Sequence, residues 1–444
     1  MAMTSRQSDP HTFEDLDAYY ADRKLLRRNI SLILLLNLGW SACFVVVNPL
    51  ILLALNKAGV GDAEIGLLWS INSWAYSYLV MYFAWKSDHT VTRFGRRIPY
   101  LFLSAPFIIV PIVLFPFFHV KWVLIALAMT EMLFMDIKAA TIPLLNYDCV
   151  PRHMFARVNA LCAIVMGAVN FLSLRFGMHL ADVFESAPYL LAGGTLTLTT
   201  LVGGLLIREP PIHHPTLENF KPWSAMKIAW QDKRMIVLML GINLGVTFAT
   251  MYSQWTWLFA KQDLALSRAD TGAAMSWAIL VPVIISFPVG WFIDRFGSYI
   301  VLGVCWALMY GATVWINHFT HGPRSLTAAA LLMEGMTPLY GAAYIILARD
   351  TDRTHLGSVT STNSFLRGLF VGASVLISGT LIQSNGNNYH IAYVFGAFVS
   401  SAGFILIMIY GYLMQRGQNP PHQRSIVALE PVPTSLPTIL ETFE

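Results

Sequence analysis

Twelve apolar stretches of roughly 20 residues, parted by short polar loops, run almost the length of this 444-residue chain. Each is long enough to cross a hydrocarbon core as a helix rising about 1.5 Å per residue. Only 12% of the residues are charged and 56% are apolar, a balance that no water-facing surface could carry. Transmembrane barrels would show short alternating segments, which are absent. The chain is therefore expected to be an all-α membrane protein. Its spans read as 30–55, 63–86, 98–118, 121–146, 155–181 and 187–207, then 235–260, 270–293, 298–316, 325–348, 356–382 and 390–415.

Orientation follows from the basic residues, which accumulate on the cytoplasmic side. With the N-terminus inside, 21 Lys and Arg fall in cytoplasmic segments and 5 (Lys57, Lys121, Lys261, Arg268, Arg324) in the opposite loops; three lie within spans. Both termini are expected to be cytoplasmic, in the inner membrane. The net charge of +4 is then a matter of topology, spread over several loops, and no nucleic-acid partner is expected. No cleavable signal is expected, because the first apolar run begins near Ile30, after Glu14, Asp15 and Asp17. Cys43, Cys149, Cys162 and Cys305 lack metal-ligand spacing and read as small apolar fillers.

The chain repeats itself. Asn37-Leu38-Gly39 recurs as Asn243-Leu244-Gly245, and the same offset of 206 carries Ser41 to Thr247, Asn48 to Gln254, Gly66 to Gly272, Ser70 to Ser276 and Asp88 to Asp294. Further on the offset slips to 202 or 203, pairing Asp148 with Asp350 and Glu131 with Glu334. Six helices copied with both copies starting inside are parallel repeats, two six-helix bundles about an axis along the membrane normal. The expected organisation is an N-terminal segment 1–29, bundles 30–207 and 235–415, a proline-rich cytoplasmic linker 208–234 and a disordered tail 416–444.

The loop after the second span reads Ser87-Asp88-His89-Thr90-Val91-Thr92-Arg93-Phe94-Gly95-Arg96-Arg97-Ile98-Pro99. It resembles the loop S-D-R-T-x-T/S-R-x-G-R-R-x-P of the glycoside-pentoside-hexuronide and sucrose-type branch of the major facilitator superfamily. Gly290-Trp291-Phe292-Ile293-Asp294-Arg295-Phe296-Gly297 resembles the shorter general form, and Asn146-Tyr147-Asp148-Cys149-Val150-Pro151 the end of the fourth helix in sucrose-type relatives. The sequence departs from the pattern at Ala84, where the family has Gly, and at His89, where it has Arg. The resemblance covers nearly the whole chain and implies the major facilitator fold of twelve helices, alternating access, and import of a sugar, oligosaccharide or glycoside. Asp88 ends a helix, where a carboxylate is unfavourable unless Arg93, Arg96 or Arg97 compensates it. A pair made in only one conformer would bias the exchange between conformers. The gating set is thus Asp88, Arg93, Arg96, Arg97, Asp148, Asp294, Arg295 and Asp350.

Six ionisable residues fall inside spans: Glu131, Asp136, Lys138, Arg175, Glu334 and Arg367. Each costs about 2.5–3.5 kcal/mol near the bilayer centre on insertion scales, so each should face the interior. They are either a coupling network or fixed ion pairs between helices. Glu131 and Lys138, seven apart, share a face from which Asp136 points away, and Glu334 and Arg367 lie at matching depth. Arg175 is placed to snorkel toward the interface.

Asn243, Thr247, Thr250 and Gln254 form a polar stripe at helical spacing, repeated by Asn37, Ser41 and Asn48, and suited to sugar hydroxyls. Trp255, with Trp40, Trp69, Trp74 and Trp257, offers flat apolar faces. The same residues could equally glue helices or mark the interface. No phosphate loop, nucleophile elbow or metal-binding His motif occurs, so no enzyme and no cofactor is expected, only a proton or sodium as coupling ion. The expectation is a monomeric secondary transporter for a small molecule, read as a proton-coupled sugar symporter. A carrier or exporter of another solute, or a receptor on the same fold, stays open.

Overall fold

A computed structural model describes residues 16–90, 92–151, 154–210, 226, 230, 232–351 and 356–416. Most of the expected linker, and the expected tail beyond Arg416, lie outside them. After a short turn at Leu16–Ala21 come α1 (Arg23–Lys57), α2 (Asp62–Asp88), α3 (Ile98–Leu114), α4 (Lys121–Cys149), α5 and α6 (Ala187–Leu206). The fifth helix runs from Phe155–Leu172 through a π turn at Ser173–Gly177 into Met178–Val183. The second half holds α7 (Lys233–Gly245, then Thr247–Gln262 after a break at Val246), α8 (Arg268–Phe296), α9 (Ser298–His318), α10 (Pro323–Asp350), α11 (Leu356–Ser384) and α12 (His390–Arg416).

The helix bounds follow the apolar runs closely. The largest departure is at α1, which begins at Arg23 because the Asp22 side chain caps it, accepting from the backbone N–H of Lys24 and Leu25 at 2.9 and 3.0 Å. At the far end of α8, Gly297 turns the chain with φ of +85°, a value that costs a side chain dearly. Ten helices among the described residues are long and apolar enough to cross a membrane. The other two of similar length, α2 and α4, are not among those ten.

The two halves meet along two helix pairs, α2 with α11 and α5 with α8. The 206-residue offset exchanges α2 with α8, so the pairs are copies of one contact. Small residues make both possible. A Cβ on Gly379 would stand 2.6 Å from the Asp62 carbonyl, and one on Gly272 2.6 Å from that of Leu174. Ser70 Oγ donates to the Gly372 carbonyl at 2.6 Å and Ser77 Oγ to that of Phe365 at 3.1 Å. On the other pair, Phe171 meets Trp277 edge to face at 5.2 Å.

A belt of polar contacts ties the halves at the Asp62 end. Tyr389 donates to Asp62, the Ala63 N–H to Gln383 at 2.9 Å, and Gln262 to Asn56 at 3.1 Å. The Ala269 N–H, at the start of α8, donates to Asp182 at 2.8 Å, and Arg268 reaches Glu185 at 3.2 Å and the Ala181 carbonyl at 3.1 Å. Toward the Asp88 and Asp294 end, α2 and α8 carry exposed rings, Tyr78 at 50% and Phe287 at 87%.

Candidate functional site

Between the halves lies a cavity of about 490 Å³, walled by α1, α2, α4, α5, α7, α8, α10 and α11. From α4 come Glu131, Met132, Met135 and Asp136. At about 100° per residue these four span an arc of roughly 140°. Lys138 falls just outside that arc. It is fully buried and donates from Nζ to Thr200 Oγ1 at 2.7 Å, bolting α4 to α6. Lys138 lies about 20° from Glu131 around the helix, on the same side, yet it does not line the cavity; Asp136, expected to point away from Glu131, is the second acid of the cavity wall.

Glu131 is 3% exposed and Asp136 7%, and Oε2 of the first and Oδ2 of the second have no hydrogen-bond partner. Asn72 Oδ1, from α2, lines the same space and is also unpartnered. Glu334 reaches the cavity from α10, giving it three carboxylic side chains and no Lys or Arg among the lining residues described. Buried acceptors without donors are costly, so a ligand rich in O–H or N–H groups, or a bound proton, has a place here.

Of the expected substrate residues, Asn48, Thr250 and Gln254 line the cavity, as do Trp69 and Trp257. The others lie off the cavity, and Ser41, Asn243 and Trp255 join helices. Ser41 donates to Asn170 at 2.5 Å, joining α1 to α5, and Asn243 donates to Asn363 at 3.0 Å, joining the corresponding helices α7 and α11 of the second half through a different pair of positions. Asn37 bonds back to the Ile33 carbonyl at 2.9 Å, Thr247 is buried, and Trp255 donates to Ser378 at 2.9 Å. The stripe does not stay on one face because α7 is broken at Val246, which separates Asn243 from Thr250 and Gln254. Asn72, Ser73, Tyr252 and Ser253 belong to the lining and were not singled out in sequence. For the first two the available signal was the low hydropathy of α2.

Glu334 and Arg367 both border a second cavity, inside the C-terminal half, yet no ion pair joins them. Arg175 sits exposed in the π turn of α5.

The charged loop after α2 builds a compact cluster within the first half. Arg97 pairs with Asp88 and, at 3.1 Å, with Asp148; Arg96 pairs with Asp148 at 2.5 Å and Asp88 at 3.5 Å. Arg97 also donates to the Ala84 carbonyl at 3.2 Å. A fifth member, Glu209, was not foreseen. Its carboxylate accepts the backbone N–H groups of Arg96, Arg97 and Ile98 at 2.8, 2.9 and 2.8 Å, supplying the cap that α3 lacks locally. Burial pushes the Glu209 carboxyl above the ordinary carboxylate range, against the pull of those N–H groups. Arg93 stays outside, over the Phe94 ring at 4.6 Å.

The second half lacks this cluster among its described residues. Asp294 is exposed, Arg295 lies over the Trp291 ring at 5.6 Å, and Asp350 takes Arg349 at 2.8 Å and the Tyr410 hydroxyl at 3.1 Å. The shorter loop before α9 supplies no second arginine.

Residues 30–267 and 242–440 match the family described as the Major Facilitator Superfamily. Among solved structures, the chain is similar to the nucleoside transporter NupG, at 11% identity over 88% of this chain and 99% of that one, with a TM-score of 0.68. It is also similar to a bacterial homologue of the human lysosomal transporter Spinster in an inward-facing, unoccupied conformation (14% identity, 90% and 97% covered, TM-score 0.60). A third is the human organic anion transporter MFSD10 (13% identity, 87% and 99% covered, TM-score 0.60). At these identities the likeness shows the fold. No curated protein sequence matches the chain.

Proposed function

The chain belongs to the Major Facilitator Superfamily, and we propose that it is a proton-coupled symporter of a sugar or glycoside. One observation carries the reading: two buried carboxylates, Glu131 and Asp136, each with one oxygen that has no hydrogen-bond partner, stand in the wall of a largely apolar cavity between the halves. Sugar hydroxyls donate as readily as they accept, so they satisfy Glu131, Asp136 and Asn72 while accepting from Gln254, Thr250 and Asn48. Trp69 and Trp257 give the flat apolar surface that a pyranose face needs. A proton held on one acid removes the cost of a buried charge while the cavity changes sides.

The basic-residue count places the Asp88 end in the cytoplasm. Closure at the Asp62 end then makes this an inward-facing state, in the inner membrane, with the substrate released toward the cytoplasm. Alternation requires the belt at Asp62, Asp182 and Glu185 to part.

The test is uptake into proteoliposomes of the full chain, under an inward acid gradient, against a panel of mono- and disaccharides, glycosides, nucleosides and organic anions. Accumulation of a sugar or glycoside that a protonophore abolishes is the expected result. Accumulation of an organic anion alone would overturn the reading.

A further inference from the structure

The second cavity, about 450 Å³, lies wholly within the C-terminal half and shares Thr250, Tyr252, Ser253 and Glu334 with the central one. Its character is different. Met309, Met336 and Phe404 form apolar walls, and Tyr340 stands edge-on to Phe404 at 5.9 Å and to Tyr344 at 6.2 Å, making an aromatic corner. The Tyr340 hydroxyl is already committed to the Ile242 carbonyl, whereas that of Tyr344 is buried and unpartnered. Arg367 borders the same chamber.

We propose that this chamber is a second subsite, which takes a flat aromatic group attached to the sugar. The ligand is then an aryl glycoside: its sugar lies against Glu131, Asp136 and Asn72, and its ring passes Glu334 into the methionine-lined chamber. An oxygen on the ring accepts from Tyr344. Thioether and aromatic walls suit a flat ring, since methionine adapts to its outline and favours contact with its edge. An interior polar network alone would not leave the Tyr344 donor unused, and a chamber meant only for packing would be filled. The inference rests on the sugar reading for the first half of the ligand and on the chamber for the second.

Gly341 provides the test, because it borders the chamber and a Cβ built on it meets nothing within 4 Å. Gly341→Leu therefore fills the chamber without touching the central cavity. Binding to the purified full chain is measured by calorimetry with matched methyl and 4-nitrophenyl glycosides of glucose, galactose and xylose, and with 4-nitrophenol alone. The wild type is expected to hold the 4-nitrophenyl glycoside about tenfold tighter than its methyl partner. Gly341→Leu should abolish that preference and leave methyl glycoside binding within about twofold. Tyr344→Phe, which removes one hydroxyl and no volume of consequence, should weaken only the 4-nitrophenyl ligand, by about three- to tenfold.

Methyl and 4-nitrophenyl glycosides bound alike by the wild type, or a preference untouched by both variants, would overturn the chamber and leave the sugar reading standing. If no glycoside binds, but 4-nitrophenol binds the wild type and not Gly341→Leu, the sugar reading fails and the chamber stands as an aromatic site.

Discussion

Tyr389, at the start of the last helix, donates its hydroxyl to Asp62, at the start of the second, at 3.0 Å, and both side chains are buried. The bond crosses from one half to the other and exists only while the Asp62 end is closed. Tyr389→Phe leaves a buried carboxylate with one donor fewer in that state alone, a loss of about 1–3 kcal/mol. The closed state should become roughly tenfold less favoured. A cysteine placed in the cavity by Ser73→Cys should then react faster with an impermeant thiol reagent added from the Asp62 side. An unchanged rate would mean that this bond does not hold the end shut.

Glu209 gives a prediction of opposite character, since it acts within one half. Burial holds its folded carboxyl above the ordinary value of about 4.3. Stability linked to this group is therefore present below that value and is lost as pH rises through the folded one. The melting temperature of Glu209→Gln should accordingly gain on the wild type as pH rises above the ordinary carboxylate value of about 4.3. A difference that does not vary with pH would show that the three backbone N–H donors cancel the effect of burial, and one of opposite sign that they outweigh it.

Sidedness is open to a direct check. Gly61, before α2, and Thr92, after it, lie in the loops at opposite ends of that helix. In intact cells, Gly61→Cys should react with an impermeant maleimide, and Thr92→Cys should react only after permeabilisation. The reverse pattern would invert the orientation drawn from the basic residues.

The helices were legible because membrane spans declare themselves locally, by length and hydropathy. Even the polar α2 and α4 kept enough apolar residues to be placed. The duplication was legible too, since Asn37 and Asn243, or Asp88 and Asp294, recur at a constant offset. What the offset could not say is which of the repeated polar residues face a cavity. Ser41 and Asn243 turned out to join helices, because a hydroxyl or amide inside a bundle serves a neighbouring helix as readily as a ligand. The helical wheel sets Asp136 apart from Glu131 and Lys138 beside it, but which arc of α4 faces the cavity is set by the neighbours of that helix, and the wheel alone carries no such reference. Glu209 and the Asp62–Tyr389 bond are contacts across more than a hundred residues, with no local signature at all.

In the proposed cycle a buried acid in the cavity carries the proton that drives uptake. Lys138 is tied to Thr200, so the candidate carriers are Glu131 and Asp136 on α4, with Glu334 on α10 lining the same cavity. The direct measurement compares, in proteoliposomes, gradient-driven accumulation with substrate exchange at equilibrium for Glu131→Gln, Asp136→Asn and Glu334→Gln. An amide keeps the shape and hydrogen-bonding reach of the acid but cannot cycle a proton. At least one variant should retain exchange within about threefold while losing accumulation under an acid gradient. Normal accumulation in all three would contradict the account and move the coupling site elsewhere.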